Sequence, residues 1–302
     1  MMRIKRIGAV SFLVDDELTT IKKNIERAVN YIEKAASYNI DILLLPEAVL
    51  TQNTEEAARS KGGIYPIEVF PGKITKYFCE KAKESKINLL LPNYVYFQRK
   101  IYNQTTIINC NGDIVGYYRK IQPTFGEIKY IYAGNDFPVF QLSDIKIATM
   151  TCLDIYFPEI CRIYAMKGAE IIFWPTLTHG PTQSGLEAQY RSRAIDNSIY
   201  LVQSNISCKP PYAPYAGRYQ PGRANIIDFY GDIIADTGRR EGICFSDIDF
   251  DEVKITSGVL GFNDVDETRK EFESIIRMEL YSKEYKTISK SQKKSNFYHK
   301  KN

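Results

Sequence analysis

The sequence predicts an α/β fold, a layered sandwich built on a mixed sheet. Three observations carry this expectation. Short apolar, β-rich runs alternate with stretches of helical periodicity. Two turn signals, Asn111-Gly112-Asp113 and Tyr230-Gly231-Asp232, insert hairpins into that alternation. The order strand, helix, strand, helix, strand, hairpin runs twice, before and after about residue 140, as a repeat of pattern rather than of sequence. No linker rich in Pro, Gly or Ser divides the chain, so residues 1–282 are expected to form a single domain and 283–302 a basic, disordered tail.

In chain order, Ile4–Phe12 reads as a strand. Glu17–Ser37 follows with Leu18, Ile21, Ile25, Val29, Ile32 and Ala36 at three-and-four spacing, an amphipathic helix. Ile42–Leu45 is continuously apolar, as a strand buried on both faces requires, and ends at Pro46-Glu47. Lys73–Ser85 predicts a helix with Ile74, Phe78 and Ala82 inward. Asn88–Phe97 reads as a strand despite Pro92 in its middle. Ile101–Cys110 and Ile114–Tyr118 flank the first hairpin turn. Ile145–Thr151 is a strand; Pro158 suits the first turn of a helix and Gly168 its end. Ile171–Trp174, the helix Leu186–Asn197, Tyr200–Asn205, the second hairpin and Gly242–Ile248 complete the regular part. A short helix is expected at Phe272–Tyr281.

Bulk properties exclude several function classes. The chain has 302 residues, 44% apolar and 25% charged, with a net charge of +4. That balance argues against a nucleic-acid partner, which needs a clustered basic face. No segment reaches the roughly 18 consecutive apolar residues of a membrane helix, and the first residues read as a strand rather than a signal peptide. The six cysteines, Cys79, Cys110, Cys152, Cys161, Cys208 and Cys244, form no CxxC pair and are expected as reduced thiols in a cytoplasm. Only His179 and His299 are present, so a multi-histidine metal site is excluded and no metal or organic cofactor is expected.

Three phrases carry chemistry. Leu43-Leu44-Leu45-Pro46-Glu47 places a carboxylate at the C-terminal end of a buried strand, where α/β folds build sites; an exposed turn glutamate is the plainer reading. Gly116-Tyr117-Tyr118-Arg119-Lys120 ends a hairpin strand in an ammonium that can stabilise an oxyanion, or simply meet solvent. Met150-Thr151-Cys152-Leu153-Asp154 runs a strand into a thiol shortly before a helix. The helix N-terminus is expected to lower the thiol's pKa, and the backbone N–H groups after the cysteine to hold a negative oxygen. A small buried core residue is the alternative.

LLLPEAVL, YYRKIQPT and TCLDIYFPEICR, in that order, resemble the nitrilase superfamily of carbon–nitrogen hydrolases. Gly134, Trp174-Pro175, Arg193-Ala194-Ile195-Asp196-Asn197 with Tyr200, Asp249 and Arg277-Met278-Glu279-Leu280-Tyr281 extend the likeness over roughly residues 3–281. The resemblance implies an αββα sandwich that pairs with a second copy, as a homodimer or higher homo-oligomer. It implies Glu47 as general base, Lys120 as oxyanion stabiliser and Cys152 as nucleophile, with the N–H of Leu153 beside the oxyanion. Glu127, in KIQPTFGE, matches the second glutamate of many members; a solvated loop carboxylate is its other reading.

Leu153-Asp154 and Phe157-Pro158-Glu159 resemble the amidase and carbamoylase branches more than true nitrilases. The expected activity is hydrolysis of a small amide or N-carbamoyl compound through a thioester, with release of ammonia. Nitrile hydrolysis and acyl transfer to an amine are the alternatives. Amidases of dicarboxylate half-amides often carry arginine where this chain has Tyr156, and a tyrosine supplies no charge for a second carboxylate. Tyr156 is expected near the substrate; His179, in TLTHGPTQSG, is a candidate substrate contact whose plainer reading is a histidine that satisfies its own loop backbone, and the loop Cys208–Gly222 is a candidate aromatic wall or an exposed, proline-stiffened loop.

Overall fold

The computed structural model describes residues 3–14, 17–178, 183–208, 222–251, 255–256, 263–264 and 274–291. The first half of the chain contains β1 (Ile4–Val14), α1 (Ile21–Ser37), β2 (Ile42–Leu44), α2 (Glu55–Arg59), α3 (Lys73–Ser85), β3 (Asn88–Phe97), β4 (Lys100–Ile108) and β5 (Ile114–Arg119). The second contains β6 (Phe140–Leu142), β7 (Ile145–Thr149), α4 (Pro158–Met166), β8 (Ile171–Pro175), α5 (Gln183–Asn197), β9 (Tyr200–Cys208), β10 (Asn225–Ile227), β11 (Ile233–Asp236) and β12 (Gly242–Asp249).

The strands form one hydrogen-bonded path, β5-β4-β3-β2-β1-β9-β8-β7-β6, with β12 paired to β1 and the β10–β11 hairpin to β9. The path has two halves with matching centres. β1, β2 and β3 run parallel in one, and β7, β8 and β9 in the other. They meet where Ser11–Val14 pairs with Asn205–Cys208. Helices α1 and α3 cover one half through Ala28, Ile32, Phe78 and Ala82 against Val10, Leu43 and Leu89. Helices α4 and α5 cover the other through Ile160, Tyr164, Tyr190 and Ala194 against Ala148, Ile172 and Leu201. Side chains alternate across a strand, and the opposite face is equally dry: Ile7, Ala9, Ile42, Leu44, Ile147, Ile171, Phe173 and Val202 are all buried. These faces meet, with β12 touching β10 and β11. The result is the expected αββα sandwich.

Several elements differ from expectation for local reasons. Helix α1 starts at Ile21 rather than Glu17 because Thr20 caps it, its hydroxyl accepting from Lys23 N at 3.3 Å. Pro92 fits inside β3 because β2 stops opposite Leu90. Pro92 faces the same side as Leu90, whose carbonyl accepts from Leu45, so its missing N–H falls beyond the end of β2. The β3–β4 hairpin turns on Gln98 and Arg99, both at positive φ (48° and 64°), a primed turn without the usual Asn or Gly. The short elements α2 and β6 carry too few residues for a periodic signal.

The compact unit ends at Asp251, not at residue 282. There β12 completes its pairing with β1, and Asp251 Oδ1 accepts from Arg3 Nε at 2.7 Å. Residues 252–302 form a second unit. Its helix Met278–Ser291 runs past position 283, where a tail was expected. The charged composition suggested disorder, but Met278, Tyr281, Tyr285 and Ile288 keep helical spacing through it. Among the described residues no helix is long and apolar enough to cross a membrane.

Candidate active site

The parallel strands aim their C-terminal ends at one place. Glu47 follows β2 and Cys152 follows β7, corresponding positions in the two halves. Both turns use left-handed backbone: Ala48 has φ 49° and Cys152 φ 49°. Neither is glycine, so each turn stores strain that the surrounding fold must hold.

A buried cluster of charge forms beside Cys152. Lys120, directly after β5, is 1% exposed, Glu47 3% and Glu127 8%. Lys120 Nζ donates to Glu47 Oε1 at 2.9 Å and to Glu127 Oε2 at 2.8 Å. Asn103 on β4 donates from Nδ2 to Glu47 Oε1 at 2.7 Å and to Glu127 Oε1 at 3.0 Å. Tyr94 Oη and Thr124 N complete the donors to Glu127, at 2.9 and 2.8 Å. Glu47 Oε2 accepts from Leu177 N at 2.9 Å. Burial favours the neutral form of Glu127, but the Lys120 ammonium and these hydrogen bonds outweigh it and hold the carboxyl below its ordinary range. Burial likewise opposes the charge on Lys120, yet Cys152, Glu47 and Glu127 raise its pKa well above the ordinary lysine value. The ammonium therefore stays charged.

Cys152 opens a 3-10 turn, Cys152–Tyr156. Asp154 organises that turn. Its Oδ2 accepts from Thr151 N at 2.8 Å and from Tyr118 Oη at 2.6 Å, and its Oδ1 from Gln122 N at 2.9 Å. The same carboxylate thus grips the residue before the thiol and residues on both sides of Lys120. Trp174 Nε1 donates to the Cys152 carbonyl at 3.0 Å and fixes the peptide from β8. The thiol itself is not acidified. Burial pushes it up to about 12, and the Glu47 carboxylate adds to the rise; Lys120 and a hydrogen bond with the Thr176 side chain oppose it. The expected lowering by a helix N-terminus is overturned, because α4 begins only at Pro158, beyond the intervening turn.

The structure brings together Glu47, Lys120, Glu127 and Cys152, and Leu153 lies in the same 3-10 turn as Cys152. Tyr156 ends that turn with its side chain 49% exposed. His179 and residues 209–221 of the candidate aromatic loop lie outside the described residues. Asn103, Tyr94 and Leu177 were not singled out from the sequence, and Asp154 was read only as part of the phrase that follows the cysteine. Asn103 had a visible signal: an amide followed by Gln104 in the middle of a β-branched strand. Leu177 contributes only backbone, so no residue type could have marked it. Among the described residues no set of three or more His, Cys, Asp or Glu is arranged to hold a metal ion.

Residues 15–256 match the family model for carbon–nitrogen hydrolases. The chain is 29% identical over 253 residues to omega-amidase NIT2 of Homo sapiens, covering 78% of this chain and 87% of that protein. It is 28% identical over 255 residues to 2-oxoglutaramate amidase of Bacillus subtilis, covering 80% and 91%. Among solved structures it resembles a carbon–nitrogen hydrolase from Helicobacter pylori G27 with a TM-score of 0.74 at 21% identity, covering 93% of this chain and 97% of that one. An amidase from Nesterenkonia sp. AN1, with an acetamide moiety added covalently at its active-site cysteine, gives a TM-score of 0.72 at 17% identity, covering 92% and 96%.

Proposed function

The chain belongs to the carbon–nitrogen hydrolase family, and on that footing we propose that it hydrolyses the C–N bond of a small-molecule amide through a thioester on Cys152, releasing ammonia. The observation that carries this reading is the buried Glu47–Lys120–Glu127 cluster beside a thiol on a strained turn. The relatives described as amidases support the same bond class.

The thiol is protonated at neutral pH, so its deprotonation accompanies attack. Glu47 takes the thiol proton as Cys152 Sγ bonds to the carbonyl carbon. The negative oxygen that develops lies between the Lys120 ammonium and the Leu153 N–H. The C–N bond then breaks, and Glu47 returns its proton to the departing nitrogen, which leaves as ammonia. Water attacks the thioester, Glu47 takes a proton from it, and the acid and the free thiol are restored. Glu127 holds Lys120 against the charge it must balance.

The two relatives named above are described as omega-amidase and 2-oxoglutaramate amidase. Tyr156 provides no cation for a distal carboxylate, which supports a neutral amide for this chain. Ammonia release is measured across neutral amides, half-amides of dicarboxylates, N-carbamoyl amines and nitriles, with wild type and Cys152→Ala. Release from amides that the variant abolishes while keeping its fold supports the hydrolase. Undiminished turnover by Cys152→Ala overturns it, and a strong preference for half-amides overturns the neutral-substrate reading alone. Family membership also supports a homodimer or higher homo-oligomer, which sedimentation in solution tests.

A further inference from the structure

We infer that Asn103 is a positioning residue of this hydrolysis, its single amide nitrogen holding Glu47 and Glu127 together as carboxylates and leaving Glu47 Oε2 to receive the thiol proton. The inference rests on the reaction proposed above. It begins from an asymmetry between the two oxygens of Glu47. Oε1 accepts from both Lys120 Nζ and Asn103 Nδ2, so its two lone-pair directions are occupied. On Oε2 the Leu177 N–H is the one donor among the described residues, which leaves a lone pair for a proton.

The orientation of the Asn103 amide is forced. Turned over, it would press its carbonyl oxygen against two carboxylates. As placed, Nδ2 serves both of them, and Oδ1 is fully buried with no hydrogen-bond partner among the described residues. An unmade bond at a buried acceptor costs stability. The fold accepts that cost at a side chain that, like Lys120, touches both glutamates. The backbone of Asn103 serves the same centre: its carbonyl accepts from Lys120 N at 2.9 Å. It also lies opposite Tyr94 across the β3–β4 ladder, and Tyr94 Oη donates to Glu127. One residue therefore sets the ammonium through its main chain and both carboxylates through its side chain. Hydrogen bonds to the charged form of an acid favour that form. Lys120, Glu47, Glu127, Tyr94 and Cys152 are the titratable groups that share the cluster.

Asn103→Leu and the isosteric Asn103→Asp test this with two readouts. For amide turnover, kcat is expected to fall by roughly 10- to 100-fold, the worth of a hydrogen bond to a charged group, while KM changes little. In the second readout, the rate of Cys152 alkylation by iodoacetamide is followed against pH. Its acid limb is expected to move up by ~1 pH unit in Asn103→Leu and further in Asn103→Asp, which adds a third carboxylate. Folded variants with wild-type kcat and an unmoved acid limb overturn the inference. Loss of folding in both variants overturns it too, since the residue would then serve the fold. The alkylation readout needs no substrate: failure of wild type to hydrolyse any amide sinks the proposed function, while the acid limb still decides the role of Asn103.

Discussion

The hydroxyl of Tyr118 donates to Asp154 Oδ2 at 2.6 Å, joining the strand that delivers the lysine to the turn that carries the thiol. Asp154 has no cationic side chain among its hydrogen-bond partners in the described residues. Burial dominates and pushes it up to about 6, against the hydrogen bonds from Tyr118, Thr151 and Gln122. The folded state therefore binds the Asp154 proton more tightly than the unfolded chain does. Its contribution to stability is largest below the ordinary carboxylate value and is lost as pH rises through about 6. Asp154→Asn cannot titrate. The stability of this variant relative to wild type should rise by up to roughly 3 kcal/mol between about pH 4 and about pH 7. Urea denaturation at the two pH values measures it, and a constant difference refutes it.

Glu47→Gln separates reactivity from turnover. The Glu47 carboxylate helps to hold the Cys152 thiol up near 12. Its neutralisation should let the thiol ionise at lower pH, visible as faster alkylation on the alkaline side. Hydrolysis should nonetheless fall by at least ~100-fold, because the proposed mechanism uses Glu47 as its base. Slower alkylation across the whole pH range, the alkaline side included, would point to a collapsed site instead.

Lys120→Met leaves two buried carboxylates without their cation. Removing one partner of a buried ion pair costs about 3–5 kcal/mol. The stranded acids then favour the proton, so the variant should recover stability as pH falls from neutral toward about pH 5, while wild type changes less. Thermal melts across that range test the sign. Hydrolysis should not recover with stability, because the proposed mechanism sets the Lys120 ammonium against the oxyanion.

Lys86 closes helix α3 in the left-handed region, with φ 55°, on the exposed surface. Lys86→Gly should stabilise the protein by roughly 1 kcal/mol, since glycine occupies that region without strain. Amide hydrolysis should be unchanged. A destabilised variant would show that the Lys86 side chain makes a contact worth more than the backbone strain.

Most of the frame was legible because its elements are long and periodic. Helix α3 and strand β3 fall on their expected residues, since Ile74, Phe78 and Ala82 and the run Leu89-Leu90-Leu91 each carry a clear period. Boundaries failed where a cap or a crossing strand decides them, as at Thr20 and Pro92. The turn at Gln98-Arg99 carries no residue type that announces positive φ. In the site, Glu47, Lys120 and Cys152 were readable as phrases at strand ends. Their electrostatics were not. The thiol was expected to be acidified, but that balance depends on how deeply a sulfur is buried and on a carboxylate 105 positions away in the chain. Asn103 escaped notice, and Asp154 was read only as part of a phrase, because what each does lies in what it touches.

The chain crosses from one half of the sandwich to the other between Glu127 and Cys152. A ribosome thus delivers Glu47, Lys120 and Glu127 before the sulfur they surround. Until the halves close, Cys152 is an ordinary thiol, open to any passing electrophile. Closure makes the sulfur harder to ionise and at the same moment sets a carboxylate, Glu47, close enough to act on it. A thiol that ionises with difficulty reacts slowly with indiscriminate oxidants and alkylators, and in the proposed mechanism it is activated only when an acyl group arrives in the right pose. Chemical selectivity here is a product of assembly rather than a property of the cysteine.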